Sequence, residues 1–158
     1  MALGAVLSAT LAAPLSAQLG IKVGAKAPAA VVEDTSGKPV DLARYVGQGP
    51  VLLEFWATWC SNCKALEPAM HAAAKKYAGR VRFVGVAVGV NQSAERTKLY
   101  ARKHGLPLEV LYDRTGAAAD AYDVPATSYI VVIDRTGKVV YTGLGADQDV
   151  EAALKKAL

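Results

Sequence analysis

The two cysteines of this 158-residue chain, Cys60 and Cys63, lie three positions apart in the segment FWATWCSNCK. Two thiols at this spacing can bind a metal, form a structural disulfide or exchange electrons with other disulfides. A structural zinc site needs four ligands, and His71 lies eight positions beyond Cys63 on a predicted helix, too far to join Cys60 at one metal. A purely structural disulfide that closes so short a loop would restrict few unfolded conformations and stabilise the fold little.

Redox exchange is favoured by the position of Cys60 in the predicted secondary structure. Residues 50–57, PVLLEFWA, are almost continuously apolar and predict a buried strand, and the pattern becomes helical from about Ser61 to Tyr77. Cys60 therefore falls where a strand passes into a helix, and the unpaired N–H groups and dipole of a helix start stabilise a thiolate. Cys63, one helical turn later, can attack the mixed disulfide that Cys60 would form.

The rest of the chain predicts an α/β domain. Alternation of apolar strands with helices implies a sheet with parallel strands, to which two hairpins add antiparallel ones. The first hairpin turns at residues 35–38, and Asp41 can cap a short helical turn after it. The other predicted elements are strands at 81–90, 106–113, 128–134 and 138–144, and helices at 93–105, 115–122 and 147–158.

Composition favours one folded domain and excludes some functions. Hydrophobic residues make up 53% of the chain and charged residues 20%, which is ample for a core and argues against disorder. The net charge is only +4, and Lys and Arg are scattered without interleaved aromatic residues. Nucleic-acid binding is therefore not expected.

Residues 1–21 carry no charged side chain, and small residues surround a possible cleavage point after Ala17. This pattern favours an export signal, although the usual positive start is missing because the first basic residue is Lys22. A membrane anchor and an ordered helix are the alternatives. Export or anchoring would place both cysteines outside the cytoplasm, where disulfide chemistry is permitted.

The segment EFWATWCSNCK resembles the active-site segment of the thioredoxin superfamily, in the form FWATWC of its TlpA/ResA branch of exported or membrane-anchored proteins. Pro68, five residues after Cys63, matches the helix-kinking proline of thioredoxins, and the closing segment YIVVIDRTGKVVYTGLG resembles the hairpin of the branch. The resemblance covers about residues 22–158. It implies a thioredoxin-like domain there, with a central mixed sheet flanked by helices, an N-terminal β-hairpin and an inserted α-β segment at 93–112.

This resemblance implies a thiol–disulfide oxidoreductase that works outside the cytoplasm, in the periplasm or its equivalent. Cys60 would attack protein disulfides, Cys63 would resolve the mixed disulfide, and no cofactor is needed. A membrane electron donor of the DsbD/CcdA kind would restore the dithiol of a monomeric protein. Apocytochrome c thiols or copper-site cysteines are the implied substrates. An oxidant that introduces disulfides and a thioredoxin-like carrier of Cu(I) or another metal are the alternatives.

Glu54 stands six positions before Cys60 in an otherwise apolar strand. A buried carboxylate is costly unless it has a function or a partner, and the resemblance puts Glu54 at the place of the buried acid of thioredoxins. Burial would raise the pKa of Glu54 and suit it to proton exchange with the resolving thiol. The alternative is a strand end or a lysine partner. Trp59 would form a substrate-facing surface beside the nucleophile.

One part of the helix departs from the branch. Many TlpA/ResA-type chains carry an acid two positions before the helix proline, where this chain has Leu66. Glu67 lies one position later on a different side of the helix, so no function is transferred to it. Tyr100 is predicted to be a packing residue and His104 an ordinary surface histidine.

Ser128 occupies the position of the cis-proline of thioredoxin-like proteins, nine residues before Gly137 of the closing hairpin. Pro125 is the alternative, and it would lengthen the strand. With Ser128 at this position, the Thr127–Ser128 bond is either a strained cis bond or trans. Thr127 and Ser128 are thus predicted to face the substrate, and Ser128→Pro is expected to raise thermal stability.

Overall fold

The structure is a computed structural model that describes residues 19–158. The predicted export signal or anchor of residues 1–21 therefore lies almost entirely outside the described residues. Between residues 19 and 158, no helix has the length and apolarity needed to cross a membrane.

All of the predicted strands and helices are present. The strands are β1 (Val31–Asp34), β2 (Pro39–Asp41), β3 (Val51–Trp56), β4 (Arg82–Val88), β5 (Glu109–Asp113), β6 (Tyr129–Ile133) and β7 (Val139–Leu144). The helices are α1 (Ser61–Lys76), α2 (Ala94–His104), α3 (Ala117–Ala121) and α4 (Val150–Lys155), with a 3-10 turn at Leu42–Tyr45. β5 begins later than predicted, after Pro107, which has no N–H for a sheet hydrogen bond. α4 is shorter than predicted.

The described strands form one mixed sheet in the order β2-β1-β5-β4-β3-β6-β7. β3, β4 and β5 run parallel, whereas β6 and β7 on one side and β1 and β2 on the other are antiparallel to their neighbours. The predicted mixed sheet with an N-terminal hairpin and an inserted α-β segment is confirmed. The inserted strand β5 pairs with β1, so the insertion joins the N-terminal hairpin to the rest of the sheet.

The central strand β3 is buried along its whole length, and successive side chains point to opposite faces of the sheet. Phe55 packs with Tyr122 and Tyr129 on one face. On the other face, Leu52 packs with α1 and Trp56 packs with both cysteines. Glu54 lies between Leu52 and Trp56 on this second face, which explains how a carboxyl group comes to be beneath α1.

Local capping fixes where the helices begin and end. The Ser93 hydroxyl accepts a hydrogen bond from Arg96 N at 3.2 Å, and Gly105 adopts the left-handed conformation that ends α2. Asp113 is fully buried, and its Oδ2 accepts hydrogen bonds from Ala118 N at 3.1 Å and Ala119 N at 2.9 Å. Its carboxylate thus fixes the start of α3 to the end of β5.

Gly85 leaves room for the ring of Trp56. A Cβ atom at this position would lie 2.9 Å from Trp56 Nε1 and 2.9 Å from Leu108 Cδ1. The Trp56 ring is rigid and only 2% exposed, so it has little space to move. We expect Gly85→Ala to reduce the free energy of unfolding by about 1–3 kcal/mol through overpacking.

Chemical denaturation checks this stability change, and Trp56 fluorescence in a Trp59→Phe background checks its cause. An unchanged emission spectrum together with unchanged stability would contradict the contact.

Candidate active site

Cys60 and Cys63 form a disulfide at the start of α1, with their Cα atoms 5.3 Å apart. Cys60 is the N-cap of α1, and its Sγ accepts a hydrogen bond from Cys63 N at 3.1 Å. The two residues are only 5% and 6% exposed. The sulfur of Cys60 therefore lies where a thiolate would be stabilised by an N–H group and by the positive end of a four-turn helix.

The loop after β4 holds the segment in front of the disulfide. Gln92 Oε1 accepts a hydrogen bond from Thr58 N at 2.9 Å, and Tyr112 Oη donates to the Gln92 carbonyl at 2.8 Å. The indole of Trp59 donates to the Val90 carbonyl at 2.8 Å. Trp59 stays 43% exposed, so its ring forms an anchored apolar surface immediately before Cys60.

Glu54 is 5% exposed, and burial raises its pKa to about 8, with a further contribution from the negative charge of Glu67. No lysine contributes to this shift, and β3 continues on both sides of Glu54, so the strand-end and lysine-pair alternatives are not what the structure shows. Near neutral pH, Glu54 is mostly a protonated acid beneath α1. The protonated form can donate a proton, and the ionised minority of the molecules can accept one.

A cluster of three side chains beside the site was missed by sequence reasoning. Tyr100 Oη donates to Glu67 Oε1 at 2.9 Å, and His104 Nδ1 lies 3.2 Å from Glu67 Oε2. The rings of Tyr100 and His104 stack with centroids 3.9 Å apart. The prediction that His104 is an ordinary surface histidine is wrong, because it lies against α1. The only available signal was the helical spacing of Tyr100 and His104, which does not reveal their partner.

Ser128 lies directly before β6 and is fully buried. Its N–H donates to the Phe55 carbonyl at 2.9 Å, and its hydroxyl donates to the Gly145 carbonyl at 3.0 Å. No peptide bond between residues 19 and 158 is cis, so the Thr127–Ser128 bond is trans and the Pro125 alternative finds no support. Ser128 has a φ of 64°, in the left-handed region that serine adopts only under constraint.

The expectation that Ser128→Pro raises stability conflicts with this geometry. A proline requires a φ near −65° and has no N–H to donate. The structure therefore holds Ser128 by two features that a proline cannot reproduce, and sequence reasoning could not see either of them.

A groove runs from Trp59 along the loop before β6. Its lining includes Val90, Ala119, Val124 and Thr127. Among the described residues, the backbone N–H and C=O of Thr127 make no hydrogen bond. The structure thus brings Trp59 and Thr127, predicted separately from the sequence, to one apolar surface beside the disulfide.

The part of the chain that the structure describes contains no cluster of side chains suited to a metal ion. Within residues 19–158, no group of three or more histidine, cysteine and acidic side chains could hold an ion. The chemistry that the geometry offers is exchange between the Cys60–Cys63 pair and other thiols or disulfides.

A mixed sheet with a redox-capable disulfide at the start of its first helix defines the class of thioredoxin-fold thiol–disulfide oxidoreductases. The sequence model of the AhpC/TSA family matches residues 23–142. The chain belongs to this family.

Named relatives agree with the family. The chain is 36% identical over 115 residues to the thiol-disulfide oxidoreductase ResA of Bacillus subtilis, covering 72% of this chain and 63% of that protein, which is less than two thirds of its length. It is 30% identical over 133 residues to the ResA of Bacillus thuringiensis subsp. konkukian, covering 83% of this chain and 76% of that protein. The chain is a thiol–disulfide oxidoreductase similar to these proteins.

A solved structure gives the same result for the fold. The structure resembles that of a secreted Mycobacterium tuberculosis disulfide oxidoreductase homologous to E. coli DsbE, with a TM-score of 0.67 and 26% identity. The similarity covers 80% of this chain and 93% of that one. The predicted thioredoxin fold is confirmed.

The raised pKa of Glu54 predicts how stability depends on pH. The folded, oxidised protein keeps the Glu54 proton up to about pH 8, whereas the unfolded chain loses it near the ordinary value of 4.5. Between these values the folded state binds more protons, so this group makes the free energy of unfolding fall as pH rises, by up to about 1.4 kcal/mol per pH unit. We expect Glu54→Gln to flatten this decline.

Urea unfolding of the oxidised protein from pH 5 to 8 measures both slopes. Glu95→Gln, which removes an exposed acid from α2, is the matched control. Equal slopes for wild type and Glu54→Gln would show that the Glu54 carboxyl ionises inside the fold without cost.

The conformation of Ser128 predicts the effect of two substitutions. We expect Ser128→Pro to reduce the free energy of unfolding by about 1–3 kcal/mol, because it removes the hydrogen bond to Phe55 and opposes the positive φ. Ser128→Gly relieves the backbone strain but loses the hydroxyl hydrogen bond, so its stability should stay within about 1 kcal/mol of wild type. Denaturant midpoints measure both, and a more stable proline variant would contradict the observed backbone.

Proposed function

We propose that the chain is an extracytoplasmic reductant of protein disulfides, in which Cys60 is the nucleophile and Cys63 the resolving thiol. The observation that carries this proposal is the position of the Cys60 sulfur at the N-cap of α1, where it accepts the Cys63 N–H. Cys63 lies inside the first turn of the helix, so its sulfur is not at the N-cap. A negative charge is therefore better stabilised on Cys60.

The reaction begins from the reduced dithiol. The Cys60 thiolate attacks one sulfur of a substrate disulfide, forms a mixed disulfide and releases the first substrate thiolate. The Cys63 thiol then loses its proton and attacks the Cys60 sulfur. This step forms the Cys60–Cys63 disulfide and releases the second substrate thiolate, so the enzyme loses two electrons and the substrate gains them.

Glu54 is the group that takes the proton from Cys63 in the resolving step. Its raised pKa of about 8 lies close to that of an ordinary thiol, about 8.5, so the proton can move in either direction with little change in free energy. When the disulfide is reduced again, the same carboxyl can return the proton to the Cys63 sulfur. Its position on the α1 side of the sheet supports this assignment.

The substrate polypeptide binds on the surface formed by Trp59 and Thr127, with Ser128 directly beneath it. The unpaired backbone groups of Thr127 can hydrogen-bond an extended peptide, as an added strand does at a sheet edge. Trp59 offers an exposed apolar ring beside the sulfurs. Ser128, buried below, holds the loop in this conformation through its hydrogen bonds to Phe55 and Gly145.

The cellular setting of the proposal comes from the resemblance to the TlpA/ResA branch. Residues 1–21 would direct export or anchor the protein, and residues 22–158 would form a monomeric thioredoxin-like domain outside the cytoplasm. A membrane donor of the DsbD/CcdA kind would supply electrons. Apocytochrome c or the copper-site cysteines of respiratory proteins would receive them. The secreted similar structure supports the extracytoplasmic location, and the ResA relatives support the thiol–disulfide exchange.

The two cysteine variants test the assignment of the nucleophile. Cys60→Ser should abolish disulfide exchange, because no nucleophile remains at the helix start. Cys63→Ser should still attack but accumulate mixed disulfides, since the resolving thiol is absent. Non-reducing gels and mass spectrometry after incubation with a disulfide-containing protein measure both.

Accumulation of mixed disulfides in Cys60→Ser instead of Cys63→Ser would reverse the assignment. The reduction potential of the pair, measured against a glutathione series, tests the direction of the reaction. A potential near that of strong disulfide-forming oxidants, about −120 mV, would favour the oxidant alternative, and one near that of thioredoxin, about −270 mV, the reductant.

A further inference from the structure

Glu67, Tyr100 and His104 form a hydrogen-bonded cluster between α1 and α2, called here the Glu67 cluster. Both carboxylate oxygens of Glu67 have a partner, Tyr100 Oη at 2.9 Å and His104 Nδ1 at 3.2 Å. A carboxylate only accepts, so His104 carries a proton on Nδ1 in this contact. The side chain of Glu67 is 22% exposed and that of His104 29%, so the cluster is largely shielded from solvent.

The Glu67 cluster lies beside the redox site. Glu67 follows Cys63 by four residues on α1, and side chains at this spacing are neighbours on a helix surface. The Tyr100 ring lies 5.7 Å from the Trp56 ring, centroid to centroid, and packs against the apolar group that contains both cysteines. Glu54 occupies the same face of β3 as Trp56, beneath α1.

The negative charge of Glu67 acts on the carboxyl group of Glu54. The pKa of Glu54 is raised first by burial and then by Glu67. The pKa of Tyr100 is raised by burial, by its hydrogen bond to Glu67 and by the charges of Glu67 and Glu54. The other titratable groups around this region are Lys64 of α1, His104 of α2 and Tyr112 of β5, because the disulfide-bonded cysteines do not titrate.

We propose that Glu67 is a positioning residue of the resolving step, held by Tyr100 and His104 so that its charge controls how readily Glu54 exchanges the proton of Cys63. The proposal rests on the base function of Glu54 given above. It gives the inserted helix α2 a function in the active site, because α2 carries Tyr100 and His104, which hold Glu67 in place.

Glu54 needs this neighbour because its proton partner is a thiol. A carboxyl at its ordinary pKa of 4.5 is too weak a base to deprotonate efficiently a thiol whose pKa is about 8.5. Burial raises the pKa of the carboxyl toward that of the thiol, and a like charge at a fixed position raises it further. A mobile Glu67 side chain would carry its charge into water, where it would be screened.

The experiment follows the Glu54 carboxyl directly, by ¹³C NMR titration of the oxidised full-length chain. In Glu67→Gln, which keeps the shape but removes the charge, the Glu54 titration should shift to lower pH. Tyr100→Phe, which removes one hydrogen bond to Glu67 and keeps the ring on Trp56, should give a smaller shift in the same direction. The control Glu95→Gln removes an equal charge at an exposed position of α2 and should leave the titration in place.

The pH profile of mixed-disulfide resolution should shift in the same direction in Glu67→Gln, since the base form of Glu54 is then reached at lower pH. An unmoved Glu54 titration in Glu67→Gln, or the same shift in Glu95→Gln, would overturn the proposal. If the titration moves while the resolution profile does not, the control of Glu54 by Glu67 stands and the base function of Glu54 is the part that fails.

Discussion

The junction between β3 and α1 is the constraint on which the site depends. β3 is buried on both faces and is hydrogen-bonded to a strand on each side, so its carboxyl end has a fixed position. α1 starts there, with Cys60 as its cap. At most helix starts, the oxygen of a serine or aspartate accepts a hydrogen bond from a free backbone N–H. Here the cap residue is a cysteine, so the Cys63 N–H donates to the Cys60 sulfur instead. A structural feature of helix ends thereby becomes a place for a thiolate.

The same junction places a carboxyl group where the fold would be more stable without it. Glu54 lies in an apolar layer between the sheet and α1, and burial keeps it protonated to about pH 8. A leucine in this position would avoid the desolvation of a polar group. The stability that is lost is consistent with a function in proton exchange, because proton transfer to a thiol needs an acid whose pKa is raised.

The inserted segment serves two structural purposes at once. Its strand β5 lies between β4 and β1 and so attaches the N-terminal hairpin to the sheet. Its helix α2 carries Tyr100 and His104 to the side of α1. A change in this segment would therefore affect both the edge of the sheet and the surroundings of Glu67, although it begins about 30 residues after the cysteines along the chain.

The sequence by itself determined the secondary structure, the order of elements, the cysteine pair and the unusual position of Glu54, because each depends on local periodicity or on a single polar residue in an apolar run.

Tertiary structure decided the rest. Glu67 meets Tyr100 and His104 across 33 and 37 residues of chain, and such contacts leave no trace in a local pattern. The left-handed conformation of Ser128 likewise depends on partners in other elements, Phe55 at the end of β3 and Gly145 after β7. Packing between distant segments selects these arrangements, and the residues involved are compatible with many others.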